Sequence, residues 1–125
     1  MYANLANTPD SIDTGMDSIV IVNHLEGIPG GKVLDTTGFD PTVIKAGHVI
    51  IKNASDVYKP LPVTGTLPAS HTIEGILVSS ILTAKPFAAV MVRGTVNVVA
   101  SPYPAHITSD VKTALPLIRF VDESK

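Results

Sequence analysis

Apolar and polar positions alternate along this chain in short bursts rather than long stripes. Residues 18–23 carry Ile19, Val20, Ile21 and Val22 in a row, and this β-branched run predicts a strand buried on both faces. The turn Gly27-Ile28-Pro29-Gly30-Gly31 follows, because proline presets one φ and glycine accepts positive values. Residues 32–35 then start a second short strand. Breakers at 38–41 lead through Val43 and Ile44 to the run 48–52, a third strand with Val49, Ile50 and Ile51 as its body. Between residues 53 and 70 stand Pro60, Pro62, Pro68 and Gly65. Proline cannot donate to a sheet ladder, so this stretch reads as a long surface loop without a central strand. Residues 73–82, interrupted only by Gly75, read as a strand passing into a turn.

The most regular segment is 87–99, where a period of two is sustained. Ala88, Val90, Val92, Gly94, Val96 and Val98 share a wholly apolar face, and Ala89, Met91, Arg93, Thr95, Asn97 and Val99 share a mixed one. Gly94 in mid-run marks a bulge or sharp bend. The mixed face suits solvent or a subunit contact, with Met91, Arg93 and Thr95 as the candidate contact residues. Further on, Ile107, Val111 and Leu115 recur at intervals of four. Thr108 or Ser109 serves as the N-cap and Pro116 stops the pattern, which predicts one short helix. Residues 117–121 close the chain as a strand, with Ile118 and Phe120 pointing one way and Arg119 the other. Together these elements predict a mostly β fold, a small β-barrel or β-tulip-like domain over residues 18–125 with one short C-terminal helix.

Residues 1–17 follow neither period. They are rich in Asn, Asp, Thr and Ser and are broken by Pro9 and Gly15, so they read as a flexible, irregular N-terminal arm. Tyr2, Leu5, Ile12 and Met16 are scattered apolar anchors in it, the candidate residues by which the arm orders against a partner.

Composition narrows the chemistry. In 125 residues the net charge is −2, with 9 Lys and Arg against 11 Asp and Glu, which argues against a nucleic-acid surface. No apolar run approaches the roughly 20 residues of a membrane-spanning helix, and residues 1–15 lack the pattern of a secretory signal. The chain has no cysteine, so disulfides, thiolate zinc sites and a cysteine nucleophile are excluded. The histidines His24, His48, His71 and His106 stand apart from one another, and Glu74 is an acid near His71 in sequence. They read as surface or loop polar groups, with no metal site expected. Gly31-Lys32 lacks the flanking residues of a phosphate loop, and no Gly-x-Ser-x-Gly elbow is present. No catalytic residue, enzymatic activity or cofactor is expected. At 45% hydrophobic and only 16% charged, against about 25% charged in average soluble domains, the chain is expected to spend part of its surface on protein contacts.

The order of segments carries one further sign: Gly31-Lys32-Val33-Leu34, then Ala46-Gly47-His48-Val49-Ile50, Tyr58-Lys59-Pro60, Glu74-Gly75-Ile76-Leu77 and Ala89-Val90-Met91-Val92-Arg93-Gly94, and last the helix at 108–115 with the strand Ile118-Arg119-Phe120-Val121. Over residues 31–121 this order resembles the lambda-type head decoration proteins of tailed bacteriophages. The resemblance implies a homotrimer that binds the major capsid protein on the outside of an expanded head and cements it. The expected location is the virion exterior, reached through the host cytoplasm during assembly, with no nucleic-acid or membrane partner. A head-fibre base or adaptor that displays a binding partner is the alternative.

Overall fold

A computed structural model describes Gly15 and residues 17–122. A single helical turn, α1 (Asp17–Val20), leads into β1 (Ile21–Gly27). The short strands β2 (Lys32–Val33) and β3 (Val43–Ile44) precede β4 (Val49–Asn53), β5 (Tyr58–Pro60) and β6 (His71–Leu77). The chain continues through β7 (Ile81–Leu82), β8 (Phe87–Ala88) and β9 (Val90–Asn97) to α2 (Ser109–Ala114) and β10 (Ile118–Val121). The six-stranded main sheet has the order β1-β9-β6-β4-β5, and β10 also pairs with β9. All its pairings are antiparallel except that of β10 with β9. Two small ladders, β2–β8 and β3–β7, stand beside it. The fold is mostly β, as the sequence pattern predicts, with the short helix in its expected place. The main sheet stays open rather than closing into a barrel, with β1 and β5 at the two ends of its strand order and β10, paired with β9, as a further edge strand.

The central strands are apolar on both faces because each face meets its own core. Val49 and Ile51 of β4, Ile76 of β6 and Met91 of β9 pack into one cluster with Ile107, Val111, Leu115 and Ile118. Their neighbours Ile50, Leu77 and Val90 pack into a second cluster with Leu34, Ile44 and Ala88. Strand geometry sends successive side chains to opposite faces, so a two-faced core demands unbroken apolar runs here. This corrects the reading of 87–99 as one apolar and one mixed face: Met91 is fully buried and is unavailable for a subunit contact in this fold.

Bulges let both long strands hold that arrangement. Met91 and Val96 lie an odd number of residues apart, yet both enter the first cluster. Strict alternation would send them to opposite faces, but β9 gains a residue against β1, because the register passes from Gly27↔Met91 to Glu26↔Arg93. In β6 the register against β4 passes from Ile51↔Ile73 to Ile50↔Gly75, so Glu74 is extra, and Ile73 and Ile76 both reach the first cluster. A glycine follows each bulge. At Gly75 a Cβ would sit 2.5 Å from the Met91 carbonyl oxygen and 2.6 Å from Val90 Cγ1, so only glycine lets β9 approach β6 here. Gly94 has φ +155 and its Cα faces the Asn23 carbonyl on β1.

Local signals held elsewhere. Thr108 Oγ1 accepts from the Val111 N–H at 3.5 Å as the N-cap of α2. Ile107, Val111 and Leu115 are buried, as is Ile118 on β10, while Arg119 is exposed. Two readings need correction. Residues 18–23 are not one buried strand: the helical turn ends at Val20, and β1 beyond Ile21 is exposed until half-buried Gly27. The segment 53–70 is not wholly loop, for it contains β5, which lies at the sheet edge where Pro60 can be tolerated.

The close approach at Gly75 yields a test. Gly75→Ala should destabilise the protein by about 1–3 kcal/mol, the usual cost of overpacking, seen as a lower urea midpoint with an unchanged slope. An unchanged midpoint would show that β6 and β9 have room to separate.

Candidate interaction surface

The strands at the two ends of the main sheet's order, β1 and β5, are built differently. Edge strands risk pairing with other chains, and proteins guard them with lysine, proline or bulges. β5 carries Lys59 and Pro60. β1, Ile-Val-Asn-His-Leu-Glu-Gly, has neither lysine nor proline. Its positions from Val22 to Glu26 are exposed in succession, so among the described residues nothing covers either face of that stretch. Val22 is 51% and Leu25 58% exposed, with Ile19 on the preceding turn also open. Two register shifts in β1 against β9, between Ile21 and Asn23 and between His24 and Glu26, twist the strand but remove none of its apolar side chains.

What holds β1 in place begins at Asp17. Its carboxylate accepts from the Ser80 N–H at 2.8 Å and from Ser80 Oγ at 2.7 Å, and the same hydroxyl accepts from the Ala46 N–H at 3.0 Å. Asp17, read from sequence as the last residue of the arm, is therefore tied to the body. Val20 is buried in the first core cluster.

A second apolar surface sits on the β2–β8 ladder. Val33 and Phe87 are cross-strand partners, and they are 63% and 69% exposed. The ladder is tight because Gly30 and Gly31 take φ +77 and +69, and a Cβ on Gly31 would lie 2.7 Å from the Ala88 carbonyl oxygen. Gly30, Gly31, Lys32, Val33, Phe87 and Ala88 line a shallow depression of about 400 Å³. Large apolar side chains left in water each forgo about 1–2 kcal/mol of burial that a partner could supply.

The candidate contact residues fall unevenly on this map. Arg93 is exposed on β9 with Glu26 of β1 as its cross-strand partner, and half-buried Thr95 stands opposite Asn23. Both therefore border the uncovered strand, while Met91 lies beneath it in the core. Tyr2, Leu5, Ile12 and Met16 lie outside the described residues. Val22, Leu25, Val33 and Phe87, exposed on these two surfaces, were not among the candidates read from sequence. Their signal was present, since each is a large apolar residue beside a turn, but exposure depends on what the rest of the fold leaves uncovered.

The histidines divide. His71 Nδ1 lies 2.9 Å from the Ala69 carbonyl, and Glu74 bonds Thr72 instead of His71. His48, expected at the surface, is 2% exposed, with Nε2 2.7 Å from the Leu61 carbonyl oxygen. Burial pushes its pKa from an ordinary 6.5 down to about 4; the Leu61 bond opposes the fall and neighbouring His106 adds to it.

No protein-family model matches the chain, and no match was found among curated proteins or solved structures.

His48 makes stability depend on pH with a definite sign. Between pH 6.5 and 4 the unfolded chain binds a proton at this site that the folded chain does not, so stability falls as pH falls through that window. The loss attributable to this group from pH 7 to below pH 4 is about 3 kcal/mol. Urea titrations across that range should show it, and in His48→Gln that part of the slope should vanish; an unaltered slope in the variant would contradict the assignment.

Proposed function

We propose that this chain is a structural decoration protein of a tailed-phage head, which associates as a homotrimer and binds the major capsid protein on the outer surface without catalysis or a cofactor. The observation that carries the reading is the β1 edge, which lacks lysine and proline and keeps Val22 and Leu25 more than half exposed. A sheet edge of this kind accepts a neighbouring backbone by hydrogen bonding and apolar side chains by burial. The Val33–Phe87 tip is a second apolar surface on the same small body. A protein with two separate contact surfaces can join unlike neighbours, and many weak joints on one lattice resist outward pressure through multivalency. The segment order that resembles the lambda-type decoration proteins supports the same reading. So does the low charge, since a surface made for repeated protein contact has little use for charge at its centre.

Sedimentation velocity of the full chain over a wide concentration range, with co-sedimentation on expanded heads of its major capsid protein, tests this. Trimers in solution or on heads are expected, and Val22→Asp combined with Leu25→Asp should weaken association at least ~10-fold, since each buried side chain contributes about 1.5 kcal/mol or more, with circular dichroism unchanged. A monomer at every concentration that also ignores the heads would refute the proposal. Removing residues 1–14, which spares the Asp17–Ser80 tie, should leave the body folded and reduce head attachment. Attachment at full strength would remove the arm from the interface.

A further inference from the structure

Two histidines distant in sequence end on one stretch of backbone. His48 Nε2 lies 2.7 Å from the Leu61 carbonyl oxygen and His106 Nε2 lies 2.7 Å from that of Val63. A carbonyl only accepts, so each Nε2 carries a hydrogen and donates it, leaving Nδ1 as the basic atom of the neutral ring. The rings belong to one aromatic group. Phe39 and Tyr103 each stand edge-on to His48 at 5.5 Å, Tyr103 stacks on His106 at 4.6 Å, and the two imidazole centroids are 6.2 Å apart. Gly65, at φ +82, closes over His106, where a Cβ would sit 2.9 Å from its Cδ2. Pro60 and Pro62 have no N–H to give. The backbone bonds that hold this stretch are Leu61 N–H to the Val49 carbonyl at 2.9 Å and, within the turn, Gly65 N–H to the Pro62 carbonyl at 2.8 Å.

We propose that His48 and His106 form a latch that holds residues 61–65 against the sheet while the rings are neutral and lets that segment lift when His48 takes a proton. The groups facing His48 are the rings of Phe39, Tyr103 and His106 and the Leu61 carbonyl. Of these His106 and Tyr103 are the titratable groups, and repulsion from His106 disfavours a proton on His48. His106 itself is faced by Tyr103, His48 and the Val63 carbonyl. The charged side chains Asp35, Asp40 and Lys59 line a cleft of about 210 Å³ on which Pro60, Pro62 and Val63 also border. A proton on His48 thus places a positive charge in a buried ring site beside a second imidazole, with one carbonyl to receive it. The ring regains water only when the backbone above it moves. That movement widens the cleft, because Phe39 forms its other wall.

The ring titrates near 4 when closed and near 6.5 when in water, so lowering the pH from 7 to 4 favours the lifted form by about 100-fold. Amide hydrogen exchange of the full chain, read residue by residue by NMR and corrected for intrinsic rates, measures it. The Leu61 and Gly65 amides should open about 100-fold more at pH 4 than at pH 7, and at pH 4 should exchange far faster than Ile51 and Val96 of the central strands. In His48→Gln, whose amide can still donate to the Leu61 carbonyl, the pH dependence at Leu61 and Gly65 should disappear. Imidazole titration of the unmodified chain, which needs no variant, should place the His48 midpoint near pH 4. The latch is overturned if Leu61 and Gly65 exchange at the same rate as Ile51 and Val96 at pH 4, if their opening ignores pH, if the Gln variant keeps the dependence, or if His48 titrates near 6.5.

Discussion

Two-faced burial of β4, β6 and β9 is the constraint on which the rest of this molecule depends. Those strands must deliver Val49, Ile51, Ile76 and Met91 to one cluster and Ile50, Leu77 and Val90 to the other, and no polar side chain can replace any of them without leaving an unsatisfied group in a core. The helix α2 and strand β10 exist in this arrangement to cover one face, through Val111, Leu115 and Ile118. The short ladders β2–β8 and β3–β7 cover the other, through Ala88 and Ile44. Bulges at Glu74 and near Val92 keep apolar residues aimed at the right core when the strands twist.

Covering both faces of three strands leaves little to cover a fourth. β1 is paired with β9 on one side, and no described element covers Val22 to Glu26, so Val22 and Leu25 stay exposed. Among the described residues, the large apolar side chains left exposed include Ile19, Val22 and Leu25 at the β1 edge and Val33 and Phe87 at the β2–β8 tip, while Val57, Val63, Leu67, Val99 and Leu117 lie elsewhere. The opposite edge, carrying Lys59 and Pro60, has the residues that discourage such pairing.

Features set by adjacent residues were legible from sequence. Thr108 before the Ile107, Val111 and Leu115 spacing marked the helix and its cap, Gly30 and Gly31 marked the turn, and Ile118, Arg119 and Phe120 alternated as read. Features set by pairing between distant segments were not. Met91 read as a surface residue because alternation cannot reveal that a second core covers the other face. His48 read as a surface or loop group because its partners Phe39, Leu61, Tyr103 and His106 come from three separate stretches. The exposed apolar surface was legible only as an apolar surplus, and the fold was needed to show which residues carry it.

Electron cryomicroscopy of expanded heads carrying this chain bears most directly on the claim that the uncovered strand exists to meet a neighbour. The expected density has residues 21–27 against another subunit, with Val22 and Leu25 covered and the Lys59–Pro60 edge free. Heads without this chain, or a bound chain whose β1 strand faces solvent while β5 makes the contacts, would contradict it.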